Sequence, residues 1–354
     1  MAAPSDTLRP AAPPPPIVRP HRRVSLVKIS GLVISKVVMH CEKERNMART
    51  DTACGFLTGM VEISKDKSEA QVEVTNCFPM PKRNVEEDDD INARHQQLML
   101  RSFRAMNIDY LLLGFYQCAP FGALFSEMMA QSMLDYYSQI EDSICIVYDP
   151  VKCSQGQLDV KAYRLSLKAI EFFEKGVSVE NLKSAGLNYA NFIEEVPVVI
   201  KNSRLSQIML CKMALAKMPG EPSHFLEMAK QNALERNLKH MMANVDVLNT
   251  EIIKYNRYLI VKQRYMAQRE AWILKRLAEN ELRRNRDEPP LPVEEEFDRN
   301  NKPPQSPRML DGLLAACNIN ANVQHCLQVS AGNLSKLHIV QALIDDQVES
   351  KPSI

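Results

Sequence analysis

From Leu234 to Leu259 the apolar residues advance in alternating steps of four and three: Leu234, Leu238, Met241, Val245, Leu248, Ile252, Tyr255, Leu259. That stepping keeps every side chain on one stripe of a single helix for about four heptads. At 1.5 Å per residue such a helix is at least about 39 Å long. A lone helix cannot keep an apolar stripe in water, so the chain must cover it with its own helices or with those of another molecule. Eight such side chains at about 1.5–3 kcal/mol each offer roughly 12–24 kcal/mol gross. Association and ordering remove much of that. Two readings stand at this point: an intramolecular core, and a seam that faces partners.

The stripe begins only after the texture of the chain has changed. Upstream, VSLVKI (24–29), CGFLTGMVEI (54–63), AQVEVTNCF (70–78), YLLLGFYQC (110–118), SICIVYDP (143–150), QLDVKAYRL (157–165) and EEVPVVIKN (194–202) read as strands. Helical spacing occupies 32–41, 91–106, 123–141 and pieces of 168–186. Strands interleaved with helices predict one α/β domain over 24–205. Beyond it, strand signals vanish. Residues 206–286 read as a helical assembly region, 287–308 as a Pro-rich linker, and 309–347 as C-terminal helices. Residues 1–23, rich in Pro and Ala, read as a disordered tail.

Composition narrows the function classes. The net charge of +1 gives no global field that favours nucleic acid or an anionic membrane. Gly is scarce at 11 and Pro abundant at 21, which suits long helices and linkers better than a Gly-rich phosphate site. Nine scattered cysteines without a C-x-x-C predict buried reduced thiols, not a disulfide framework or a zinc ribbon. No run approaches the roughly 18 apolar residues of a membrane span. The loop NVEEDDD (84–90) has the charge of a calcium loop but not its ligand spacing or glycine, so it reads as a solvated loop leading into the next helix.

The segment CGFLTG (54–59), the strand ending in GFYQCAP (114–120), the Met-rich helix after it and YDP (148–150) resemble the MPN-domain family in content and order. In catalytic members of that family a zinc ion lies at this strand end, held by two histidines one residue apart and an aspartate on the following helix. A glutamate before the first strand activates the zinc-bound water. On this chain the resemblance places the histidines at Gln117 and Ala119 and the aspartate at Ala130. The helix serine falls at Glu127 and the glutamate at Thr52. Alanine cannot ligate and a neutral amide is a poor zinc ligand, so these positions read as a degenerate metal site with no cofactor. Cys118 is not a convincing nucleophile either, because nothing in the sequence places a histidine beside it.

A narrower resemblance rests on NCFPMP (76–81), RSFRAMNIDYLLLGFYQ (101–117), IVYDPVKCSQGQLDVKAYRL (146–165), IEEVPVVIKNS (193–203), KYNRYL (254–259), DEPPLPVEE (287–295) and KPPQSPRML (302–310). Together these are similar to the H-subunit family of eukaryotic translation initiation factor 3, a non-catalytic MPN branch. The resemblance implies a cytoplasmic scaffold whose MPN domain pairs with that of the F subunit and whose helices join a bundle with other subunits. The assembly it implies recruits mRNA and initiator tRNA to the small ribosomal subunit. The alternatives are a zinc-dependent ubiquitin isopeptidase, and a scaffold of a proteasome-lid or signalosome type of complex. Residues 254–286 carry ten basic against three acidic side chains. That run, with Arg283, Arg284 and Arg286 at its end, reads either as a solvated helix face or as a contact for ribosomal RNA. Ser306-Pro307 has the form of a proline-directed phosphorylation site, a common dipeptide.

Overall fold

The computed structural model describes residues 22–48, 53–64, 69–81, 88–119, 124–154, 158–216, 231–285, 289 and 303–349. Thr52, Arg286, the tail 1–21 and most of the Pro-rich linker lie outside them. The expected α/β domain followed by long helices is the observed architecture. Its strands are β1 (Arg23–Ile29), β2 (Cys54–Ile63), β3 (Glu69–Pro79), β4 (Leu111–Cys118), β5 (Ile144–Tyr148), β6 (Val160–Leu165), β7 (Ile193–Val196) and β8 (Val198–Ile200). The helices among the described residues are α1 (Gly31–Ala48), α2 (Asp88–Ala105), α3 (Glu127–Gln139), α4 (Pro150–Ser154), α5 (Leu167–Lys175), α6 (Val179–Ala185), α7 (Tyr189–Phe192), α8 (Arg204–Ala216), α9 (Gln231–Arg284) and α10 (Leu310–Glu349).

The eight strands form one mixed sheet in the order β7-β6-β5-β4-β2-β3-β1-β8. β4 and β5 run parallel, while β2 is antiparallel to both β3 and β4. The segment expected as one strand at 194–202 is two strands, because Pro197 has no N–H to donate to a ladder. β7 pairs with β6 at one edge and β8 with β1 at the other. Consecutive strands at opposite edges require a strongly curled sheet. The carbonyl of Pro197 accepts a 2.9 Å hydrogen bond from Val27 N–H, which ties the curl together.

Two large cores flank the sheet, beside a smaller cluster of Phe56, Phe78 and Phe103. One buries Val27, Leu57, Val72, Leu113, Tyr116 and Ile146 beneath Val33, Val37 and Cys41 of α1. The other buries Phe115, Cys145 and Val147 beneath Met129, Ala130 and Met133 of α3, and it also takes in Leu310, Leu314 and Cys317 of α10. Gly114 stands where the β2–β4 register shifts. Its φ is +143° and an added Cβ would lie 1.9 Å from the Ile144 carbonyl oxygen, so only glycine fits this irregularity in the strand. Ser126, Ser166 and Ser178 each accept a hydrogen bond from a first-turn N–H, starting α3, α5 and α6 where the sequence has polar breaks.

The region expected as several C-terminal helices is one uninterrupted helix, α10. No proline interrupts it, and it gains cover from both α9 and the domain. All nine cysteines are free. Cys211 on α8 is exposed, unlike the buried thiols expected from their scattering. Among the described residues no helix is long and apolar enough to cross a membrane.

Candidate functional site

The strand end flagged by the sequence is a closed, apolar place. Gln117 is half-buried on β4, in register with Cys54 on one side and Val147 on the other. Ala119, two residues on and therefore on the same face, is 2% exposed. Its N–H donates to the Tyr148 carbonyl at 3.2 Å, continuing the β4–β5 pairing past the strand. Ala130 is buried on α3 in the same cluster as Ala119. Glu127 opens α3, is exposed, and meets Arg308 at 3.7 Å. The fold therefore brings Gln117, Ala119 and Ala130 to one side of the sheet, with Glu127 at its rim. Thr52 falls outside the described residues.

These side chains do not fit a zinc ion. Two methyl groups and one amide cannot replace three anionic or imidazole ligands, and the single carboxylate at the rim is engaged with Arg308. Among the described residues no cluster of three or more His, Cys, Asp or Glu could hold a metal. Among the described residues there is little room for a substrate beside Ala119. The cavity beside Ala119, between Leu124, Val147, Asp149, Asp159, Lys161 and Tyr163, has a volume of about 10 Å³, the space of one water at most.

Cys118 points to the other core, with Tyr116 and Cys41. A hydrogen bond with Cys118, and then burial, push the Cys41 thiol far up, so Cys41 stays a thiol. Among the described residues His40 reaches this strand, its Nδ1 2.9 Å from the Tyr116 hydroxyl. His95, upstream on α2, packs against Phe78 instead.

The element that packs on this part of the domain is α10. Asn318 is 5% exposed, and its amide makes both bonds of a backbone-like pair with Phe125. Its Oδ1 accepts from the Phe125 N–H at 2.8 Å and its Nδ2 donates to the Phe125 carbonyl at 2.8 Å. Beside it, Cys317 donates to the Tyr189 carbonyl at 3.4 Å, and burial raises its thiol to about 11. His325 is buried further along α10. Burial, with the Lys152 cation acting the same way, pushes it down to about 4 against the opposing pull of Asp159. Lys152 and Asp159 are themselves joined at 2.7 Å. The sequence reading missed these α10 residues. The signal was there in part: Leu310, Leu314, Asn318, Asn322 and His325 share one helical face, and polar residues continuing an apolar stripe mark a polar contact under cover.

The seam divides along its length. Met241, Leu248 and Tyr255 are half-buried, whereas Leu234, Leu238, Val245, Ile252 and Leu259 are exposed by 36–44%. The covered line of α9 runs through Asn237, Met241, Asn244, Leu248, Glu251, Tyr255 and Tyr258. It shares the middle row of the apolar stripe and departs to one side of it. Gly312 of α10 sits against this line, where an added Cβ would lie 3.3 Å from Glu251 Cβ and 3.8 Å from Leu248 Cδ1. On α6, Lys183 donates to the Tyr255 hydroxyl at 2.7 Å. On the other side of the stripe Leu238, Val245, Ile252 and Leu259 stay exposed by 36–42%. In the basic run, Arg276 lies 5.0 Å over the Trp272 ring and pairs with Glu279 at 3.3 Å, and Arg283 meets the same Glu279 at 3.6 Å. Arg284 is exposed.

A curled mixed sheet between α1 and α3 is the architecture expected of an MPN domain. Residues 22–142 match the family model described as JAB1/Mov34/MPN/PAD-1 ubiquitin protease, and residues 153–349 match the model described as the C-terminal region of eIF3h. The chain is 36% identical over 321 residues to the H-B subunit of eukaryotic translation initiation factor 3 of Danio rerio, covering 90% of this chain and 94% of that protein. It is 37% identical to the H subunit of Brugia malayi, covering 91% and 93%, and 36% identical to the H subunit of Xenopus laevis, covering 91% and 94%. The chain belongs to the family of eukaryotic translation initiation factor 3 H subunits.

Proposed function

We propose that the chain is a non-catalytic scaffold component of a translation initiation factor 3 complex, holding other subunits through an apolar row it leaves open. The observation that carries this reading is the spacing of Leu238, Val245, Ile252 and Leu259. They recur every seven residues on a helix whose opposite flank is already packed, and each is 36–42% exposed. A coiled-coil row of that regularity accommodates another helix. The donor-poor strand end and its water-sized cavity support the non-catalytic part.

Finer partners follow the same logic. Pairing with the MPN domain of the F subunit would use a second apolar face. Met60, Met106, Ile108, Tyr110 and Leu111 are exposed by 37–57%. They gather where β2 and β4 meet, because Gly59 stands opposite Leu111. Contact with the small ribosomal subunit, and a cytoplasmic location, come with the assembled factor.

The test is the double substitution Ile252→Asp with Leu259→Asp. Both residues lie away from the flank that α10 covers, so the fold stays intact while the row becomes charged. Loss of co-purification with the other subunits is expected; full assembly of the variant overturns the reading.

A further inference from the structure

The loss of the metal ligands and the seating of α10 occur at the same place. Ala119 and Ala130 belong to the buried cluster that Leu310, Leu314 and Cys317 complete. The segment between the two alanine positions carries Phe125, whose backbone N–H and carbonyl are both taken by Asn318 at 2.8 Å. Phe125 is itself 8% exposed and packs edge-on against Tyr163 at 5.3 Å. At the rim, Arg308 reaches Glu127, one residue beyond the Ser126 cap of α3. On its other flank α10 lies against Leu248 and Glu251 of α9 through Gly312.

We propose that the vacated metal end of the MPN domain is a docking socket for the chain's own helix α10, read by Asn318. Through α10 the socket sets the direction of α9 and of its open apolar row. The chemistry of the socket is specific. A side-chain amide supplies one acceptor and one donor to an isolated stretch of backbone that would otherwise bury an unpaired N–H and carbonyl. The alanines are part of the fit. A histidine or aspartate at 119 or 130 would add bulk and an ionisable group to the buried cluster that α10 completes. On this account the small side chains at these positions let the site receive a helix.

Amide hydrogen exchange on the full chain tests the socket, with Asn318→Leu and Ala130→Asp compared against the native sequence. Asn318→Leu removes both bonds to Phe125 while leaving every side chain of the sheet in place. The expected result is about tenfold or faster exchange across 310–325, with β4 and β5 exchanging as in the native chain. Ala130→Asp acts from the opposite side of the contact and is expected to release the same segment. The proposal is overturned if Asn318→Leu leaves 310–325 as protected as before. It is equally overturned if helix and sheet lose protection together, because α10 would then be ordinary core rather than a docked element.

Discussion

The two halves of α10 have similar apolar content and opposite surroundings. In the first half Leu310, Leu314, Ala315, Cys317, Asn318, Asn322 and His325 are all at most 5% exposed. In the second half Leu334, Leu337, Ile339, Leu343 and Ile344 are exposed by 47–57%. Helix propensity cannot account for the difference, since one helix runs through both. What changes is cover: the sheet and α3 end, and the helix continues. The same division runs along α9, split there between two flanks of one stripe. Intramolecular packing thus secures the MPN domain and the start of α10. The remaining apolar surface is large for a soluble monomer and has the helical spacing of an interface.

The largest expected effect breaks the outer half alone. Leu334→Asp with Leu337→Asp should cost assembly with other subunits about 2 kcal/mol or more in affinity, as hot-spot losses do, without moving the melting temperature of the domain. Pull-down against thermal melting separates the two. A substitution in the inner half should behave in the reverse way. Leu314→Ala opens a cavity in a buried cluster and should lower unfolding stability by about 2–5 kcal/mol, measured by urea titration.

The third prediction uses acid. His325 titrates near 4 in the folded chain, below its unfolded value of about 6.5. The unfolded form therefore binds the extra proton first, and stability falls as pH drops from about 6.5 toward about 4. On this helix and its packing partners the charges acting on His325 are Lys152, which opposes protonation, and Asp159, which favours it. The expected loss is on the order of 3 kcal/mol, and His325→Gln should flatten the profile in that window. The smallest effect concerns Asn322, fully buried with neither amide atom hydrogen-bonded among the described residues. Asn322→Leu should be neutral or stabilising by about 1 kcal/mol in the same urea titration, because it removes a desolvated polar group without breaking a bond.

The strands of the sheet were legible because alternation, Pro and polar turns mark them residue by residue. The split at Pro197 was not, since nothing local says that consecutive strands will join opposite edges of a curled sheet. That Gln117, Ala119 and Ala130 would lie on one side of the sheet was legible only through family resemblance; alanine by itself carries no signal of a site. The stripe of α9 was legible as a stripe. Which of its flanks stays open was not, because Leu238 and Leu248 look alike in sequence and differ only in what packs beside them. Asn318 escaped for the same reason: its partner is a backbone pair at Phe125, 193 residues away. Long-range partners of polar helix residues leave no periodic trace.

The most direct measurement is the native mass of what co-purifies with the chain, in the native sequence and with Ile252→Asp and Leu259→Asp. The native sequence should bring down a complex many times its own 40.2 kDa. The variant should run as a folded single chain with an unchanged exchange pattern across the sheet and 310–325. A variant that still carries the full complex would show that the open row of α9 is not what holds the neighbours.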